Sequence, residues 1–259
     1  MCETLRTLSL NKKSKHTTPA DKTKSETRKK KIQLEEITDR NDAPSEKESF
    51  YAKMFARFYD RFMDRTEKTI LFRKRKHLIQ PLTGKVLEIG SGTGINFPIY
   101  SSKADVIAIE PSTSMMEKAK ERMRSVQNTT AHKENAKIRM EVLGLGDPEL
   151  ESLIPEKSMD AVVFTLVLCT VPDPVYAIRF AKSRLKRGGK ILILEHVKAS
   201  SKAGQLLQNF LNPFWNRFAQ GCNLNRDPSS ILKAEGFQPL EEYRFKKTLP
   251  FYQAIYALE

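Results

Sequence analysis

The middle of the chain alternates short apolar runs with amphipathic stretches. Val86, Leu87 and Ile89 form a run of strand type that breaks into glycines, and a second such run, 105–109, ends in Glu110. Read by period, the pattern predicts strands over 86–89, 105–109, 138–143, 161–167 and 190–194. Helices are expected from about Phe97, over 112–125 (Met115, Met116, Ala119, Met123) and over 174–186. The last should stop at Gly188 and Gly189, where glycine supplies the positive φ that ends a helix. This rhythm implies an α/β, Rossmann-like, doubly wound and mostly parallel sheet with helices on both faces. Beyond it, 228–235 reads as a helix, and 237–245 with 250–257 as an antiparallel strand pair completing the sheet.

Two further segments have helical spacing. In 206–218, inserted after the fifth strand as a lid, the apolar residues include the sole tryptophan, Trp215, and Phe210, Phe214 and Phe218. They read either as core or as an apolar substrate pocket or interfacial foot. From about Ser49, Tyr51, Met54, Phe55, Phe58, Tyr59 and Phe62 share one face of a helix, with Lys53, Arg57, Asp60, Arg61 and Asp64 opposite or at its edge. That helix either packs over the core or roofs a ligand or meets a membrane, with the basic run Arg73, Lys74, Arg75, Lys76 just beyond it.

Charge separates the tail from this domain. Of the formal +14, +7 falls within residues 1–31, which hold ten Lys/Arg against three acids and almost no apolar side chains after Leu10. Such a segment cannot bury enough surface to offset its ordering entropy, so 1–48 is expected to be a disordered basic tail and 49–259 the folded domain. Lys29, Lys30 and Lys31 read as a solvated charge run or an anionic-surface signal. The first ten residues are too short in apolar content for a signal peptide and give only a faint hint of a transit peptide. No apolar run reaches the length that spans a bilayer. Three dispersed cysteines (Cys2, Cys169, Cys222) and four scattered histidines (His16, His77, His132, His196) make neither a disulfide framework nor a metal-ligand spacing. The expectation is no metal and a reducing, intracellular compartment, cytoplasmic or peripheral on an organelle membrane, mitochondrial included.

The chemistry begins at the first strand. Glu88, Gly90, Gly92 and Gly94 follow the order Glu-x-Gly-x-Gly-x-Gly, and Glu110 lies 20 residues beyond Gly90. Glycines at alternate positions let a strand turn sharply and leave room for a ligand at each missing Cβ, and a carboxylate at that separation can accept from ribose hydroxyls. An acid under the loop repels a dinucleotide pyrophosphate and suits a cationic ligand.

Here the chain resembles the class I S-adenosylmethionine (SAM)-dependent methyltransferases. The resemblance implies SAM as cofactor, held at the ends of four strands. At the first are Glu88, Gly90, Ser91, Gly92, Gly94 and Asn96; at the second, Glu110 and Pro111 with Met115 on the following helix. After the third, Leu145 would lie against the adenine and Asp147 accept from its amino group, unless Asp147 is an ordinary turn residue; at the fourth, Thr165 and Leu166 would border the methionine portion. The segment 185–192, Leu-Lys-Arg-Gly-Gly-Lys-Ile-Leu, is similar to the Leu-Lys-Pro-Gly-Gly turn of these enzymes, with Arg187 where proline is usual. Segments 164–174, 194–197 and 221–227 resemble the microsomal alkyl-thiol methyltransferases (the methyltransferase-like seven group) and bacterial relatives described as acting on phosphatidylethanolamine or quinone precursors. Unlike the microsomal members, which begin with a hydrophobic anchor, this chain begins with a polar, basic segment.

The implied activity is methyl transfer to a small or lipid-like acceptor, a thiol or an amine. Positioning and exclusion of water do most of the work, and a base takes the acceptor's proton; His196 is the candidate, its alternative being a loop hydrogen bond. Cys169 reads as a small buried residue and Cys222 as part of a turn into the helix at 228. The competing readings are an RNA or protein methyltransferase, supported by charge alone, and a non-catalytic SAM-binding, membrane-associated assembly factor. The partners expected are a small-molecule or lipid substrate and an anionic membrane surface in peripheral contact, with nucleic acid disfavoured and oligomeric state open.

Overall fold

Seven strands lie in one sheet, ordered β3-β2-β1-β4-β5-β7-β6. They are β1 (Gly84–Ile89), β2 (Ala104–Ile109), β3 (Lys137–Glu141), β4 (Met159–Thr165), β5 (Leu185–His196), β6 (Gln238–Lys246) and β7 (Pro250–Ala257). The first five run parallel, and β7 is antiparallel to both neighbours, β5 and β6. The expected Rossmann-like sheet with its antiparallel C-terminal pair is therefore the observed one. The structure is a computed structural model that describes residues 70–127, 136–246 and 249–258. The chain divides into two units, Met1–Glu46 and Lys47–Glu259, and every described residue belongs to the second. The expected tail over 1–48 and the aromatic helix over 51–62 lie outside the described residues.

Helices cover both faces: α1 (Phe72–Ile79), α2 (Thr113–Gln127), α3 (Glu149–Leu153), α4 (Pro174–Arg184), α5 (Lys202–Phe218) and α6 (Pro228–Ala234). Period-2 alternation sends Val162, Phe164, Ile191 and Ile193 into a core with α4, α6 and Tyr252, and sends Val86, Val163, Leu192 and Leu194 into a second core with α1 and α2. The connection order reverses between β1 and β4, and ligand crevices in such sheets open at the carboxyl ends of the strands on either side of that point.

Three local readings change. Arg75, Leu78 and Ile79 are buried on α1, with Leu71 buried just before it, so the basic run is a helix whose Arg75 faces inward. The helix predicted from Phe97 is a single 3-10 turn, Phe97–Ile99. Gly188 and Gly189 do not end α4, which stops at Arg184 with Leu185 already extended at φ −71° and ψ 139°. They lie in a bulge: pairing with β4 jumps from Met159–Leu185 to Ala161–Lys190, and Gly188, at φ 74°, turns the looped-out residues. Leu258 fastens the bulge through Gly188 N to Leu258 O (2.9 Å) and Leu258 N to Gly189 O (3.0 Å).

Candidate active site

The loop after β1 is built by its backbone. Gly90 N and Ser91 N donate to Ile109 O at 2.9 and 3.1 Å, tying the loop to the end of β2. Gly90, Gly92 and Gly94 have φ of 67°, 54° and 71°, a region L-residues avoid. Their missing side chains serve different ends, which corrects the expectation that each makes room for a ligand. A Cβ on Gly90 would lie 2.2 Å from Val167 Cγ2 and one on Gly94 2.7 Å from the Phe97 ring, whereas one on Gly92 would meet nothing within 4 Å. Only Gly92 opens to space.

Glu110 closes the other side. One carboxylate oxygen accepts from Gly92 N at 2.9 Å and the other from Ser112 N at 3.0 Å. Ser91 Oγ is buried with no hydrogen-bond partner, a polar atom inside the cradle for a ligand to satisfy. Pro111 packs its ring near Gly144, Met115 is half-buried at the start of α2, and Leu145 packs on the core beside them. Asp147 is exposed and its carboxylate accepts from Gly144 N in its own loop, so it acts here as a turn residue.

Beneath the loop lies a buried polar network. Asn96 Nδ2 donates to Glu88 Oε1 (2.7 Å) and to Thr165 Oγ1 (2.9 Å), its Oδ1 accepts from Arg75 Nη1 (2.8 Å), and Tyr100 donates to Glu88 Oε2 (2.9 Å). The amide of Asn96 is thus spent on holding Glu88, Thr165 and Arg75 together. Next to Thr165, Leu166 stands at φ 58°, a costly conformation for a large residue. Leu166 N bonds Leu194 O at 2.8 Å, so the chain leaves β4 two residues earlier than the apolar run suggested.

Burial pushes the Glu88 carboxyl up to about 7 from an ordinary 4.5, against the Asn96 and Tyr100 hydrogen bonds and the Arg75 charge, with Glu110 adding to the rise. A carboxyl raised on folding contributes stability that is full below its unfolded value and lost as pH rises through its folded one. That loss is about 3 kcal/mol at 1.36 kcal/mol per unit. A cationic ligand beside it prefers the ionised form, so its affinity runs the other way. Between about pH 5 and 7 the melting temperature of the ligand-free protein is expected to fall, levelling off above, while SAM affinity by calorimetry rises towards pH 7, and Glu88→Gln should flatten both curves.

At the end of β5 stands His196, 7% exposed and on the same sheet face as Thr165 and Glu88. Its Nε2 lies 3.0 Å from Cys222 Sγ, and its Nδ1 is buried without a partner. Trp215 Nε1 donates to the same sulfur at 3.3 Å, and Cys169 hydrogen-bonds it as well. The Cys169 bond, then His196 and Trp215, favour a thiolate at Cys222 against the opposing pull of burial, while the thiol of Cys169 is pushed up. For His196 burial favours the neutral ring, but the hydrogen bond and charge of Cys222 outweigh it and raise its affinity for a proton. Glu195, on the opposite face, accepts from Val167 N and Leu168 N at 2.8 and 2.9 Å, and burial lifts it to about 7. Cysteine and histidine spacing gave no sign of this grouping. Its members come from three segments that only the sheet brings together.

The last component is α5, which is inverted. Gln208, Asn212 and Asn216 face inward: Gln208 Nε2 donates to Val197 O and Leu224 O, and Asn212 and Asn216 both donate to Asn223 Oδ1. Leu206, Phe210 and Phe214 are 70–71% exposed, and Leu207, Leu211 and Phe218 join them, so the reading as core fails. Among the described residues no helix is long and apolar enough to cross a membrane.

A parallel sheet with an antiparallel seventh strand, a glycine loop over a buried acid and a second acid at the next strand tip define a SAM-dependent methyltransferase. The chain belongs to the family described as "Methyltransferase domain", which matches residues 53–242. It is similar to thiol S-methyltransferase TMT1B of Rattus norvegicus, 31% identical over 157 residues (60% of this chain, 61% of that one), and to TMT1A of Homo sapiens, 31% over 179 residues (68% and 69%). The match thus spans about three fifths of the rat relative's own length. Phosphatidylethanolamine N-methyltransferase of Cereibacter sphaeroides is 29% identical over 113 residues (44% and 51%). Among solved structures, an O-methyltransferase family protein from Burkholderia thailandensis superposes with a TM-score of 0.60 at 11% identity, covering 79% of this chain and 59% of that one, a likeness of fold.

Proposed function

We propose that this enzyme methylates a lipophilic thiol or lipid amine that reaches the site from an anionic membrane surface. The observation that carries this reading is α5: Gln208 ties the helix to Val197 O just past the end of β5, six of its apolar residues are exposed, and its seventeen residues include Lys202 and Arg217 but no acid. A helix fastened to its protein by amides and showing leucine and phenylalanine outward has the form of an interfacial foot, and its charges suit anionic headgroups. The names of the thiol and phosphatidylethanolamine relatives are in keeping with both acceptor classes.

In this reading SAM supplies an activated methyl on a sulfonium. Glu110 and Gly92 take the ribose, and Ser91 Oγ and the Glu88 network, at the cationic end, hold the donor in orientation. Thr165 and Leu166 border the methionine portion, with Met115, Pro111 and Leu145 near the adenine and Asp147 shaping its loop. His196 serves acceptor activation. The test is a methyl-release assay with an alkyl thiol and with phosphatidylethanolamine in anionic vesicles. Turnover on either supports the proposal, and SAM binding with turnover on neither sinks it. Phe210→Ser/Phe214→Ser should abolish vesicle flotation and lower turnover on the vesicle-borne acceptor by about tenfold, with SAM affinity unchanged. Unaltered flotation would remove α5 from the surface contact.

A further inference from the structure

Cys169, His196 and Cys222 each present one donor atom, and those atoms all lie within 4.8 Å of one another. A tetrahedral zinc, with bonds of about 2.0 Å to imidazole and 2.3 Å to thiolate, sets its ligand atoms about 3.5 Å apart. Small side-chain rotations close the difference.

The backbone around the cluster is fixed in advance. Asn223 N donates to Cys169 O at 2.8 Å, Arg226 Nη1 donates to Leu168 O and Val171 O at 2.5 and 2.6 Å, and Lys198 N donates to Arg226 O at 2.9 Å. Loop 219–226 is thereby pinned to the segment after β4 and to the end of β5. Gln220 and Gly221 adopt φ of 48° and 86° to bring Cys222 round to the histidine. Two cysteines and a histidine from three separate segments, buried and held by backbone bonds, form a soft donor set of the kind that selects zinc over magnesium or calcium. Three protein ligands leave one tetrahedral position open, the pattern of zinc sites that handle a substrate.

We propose that Cys169, His196 and Cys222 bind one zinc ion whose fourth position takes the acceptor's sulfur as a thiolate. This rests on the methyltransferase reading above and selects the thiol over the amine. The position suits it. Thr165 pairs with Leu194, so His196, two residues further along β5, has its Cα about 8 Å from that of Thr165 and on the same face. Coordination releases the thiol's proton to solvent. The sulfur's electron pair then forms the new bond to the methyl carbon, the bond from that carbon to the sulfonium sulfur breaks with its pair onto the departing sulfur, and the neutral thioether product leaves the metal. His196 acts as a ligand in this scheme, so no protein base is required.

The test uses the full chain, purified reduced, exposed to zinc and desalted. Elemental analysis should find about one zinc per chain, falling to near none in Cys222→Ser and Cys169→Ser. With cobalt in place of zinc, a sulfur-to-cobalt charge-transfer band and tetrahedral d–d bands should appear. An alkyl thiol should shift the d–d bands, and the alcohol and amine of equal chain length should not. Calorimetry with SAM on the same samples reports separately on the methyl-donor site and on folding of the variants. Wild-type protein that binds SAM but retains neither zinc nor the charge-transfer band overturns the metal site. Cobalt bands indifferent to thiol overturn the acceptor role. Loss of SAM binding alone would instead strike the methyltransferase assignment of the glycine loop.

Discussion

Glu110→Ala is expected to weaken SAM binding by about 100-fold, read by calorimetry, and to lower the melting temperature of the free protein modestly, because two backbone N–H groups lose their acceptor. Two hydroxyls donating to a carboxylate make charge-assisted hydrogen bonds, and losing both removes about 3 kcal/mol. The acid also holds its own surroundings, since Gly92 N and Ser112 N both donate to it, so the alanine variant loosens the loop that the ligand must meet. Glu110→Gln keeps one acceptor oxygen but turns an NH2 toward one of those backbone donors, and should fall between wild type and alanine. A second ligand separates this from a general loss of the site. S-adenosylhomocysteine has the same ribose without the sulfonium charge, so Glu110→Ala should weaken both ligands in equal ratio, whereas Glu88→Gln should weaken SAM more. Unchanged SAM affinity in Glu110→Ala would remove the acid at the tip of β2 from the binding site.

What could be read in the sequence was whatever has a short period or a fixed spacing. Strands over 86–89 and 105–109 and the acid 20 residues past Gly90 follow from alternation and from the reach of one strand tip to its neighbour, and the sheet contains them within a residue or two. The C-terminal pair was equally plain. α1 is masked in the sequence by its run of charges, although Leu71, Arg75, Leu78 and Ile79 carry helical spacing with an arginine in an apolar slot. That arginine is buried because Asn96 receives it, a fact with no local signature. The inverted face of α5 was equally hidden. Periodicity finds an amphipathic helix but not which side meets the protein, and here the amides of Gln208, Asn212 and Asn216 decide it by bonding a loop that follows the helix. The Cys169, His196 and Cys222 cluster is the extreme case, since both of its sequence gaps exceed 25 residues and only the pairing of β4 with β5 and the tight turn at Gln220 close them.

Gly90→Ala and Gly92→Ala are expected to fail in opposite ways, although the two glycines look interchangeable in the motif. At Gly90 the added carbon meets Val167 Cγ2 at 2.2 Å in a backbone held at φ 67°, and overpacking together with left-handed strain should cost about 3 kcal/mol of folding stability. Val167→Ala removes the methyl that collides, so adding it to Gly90→Ala should restore about 1–2 kcal/mol even though Val167→Ala alone is destabilising. At Gly92, where φ is 54° and no atom lies within 4 Å, only the strain of about 1 kcal/mol applies to folding. The new methyl instead enters the space beside Glu110 that the ligand needs, so SAM affinity should drop by tenfold or more, a loss of about 1.4 kcal/mol at least. Denaturant melts and calorimetry on the two variants separate the cases: one glycine is required by the fold and the other by what the fold binds. Equal loss of stability in both, with no rescue by Val167→Ala, would show that backbone strain alone governs this loop and that the open space at Gly92 has no part in binding.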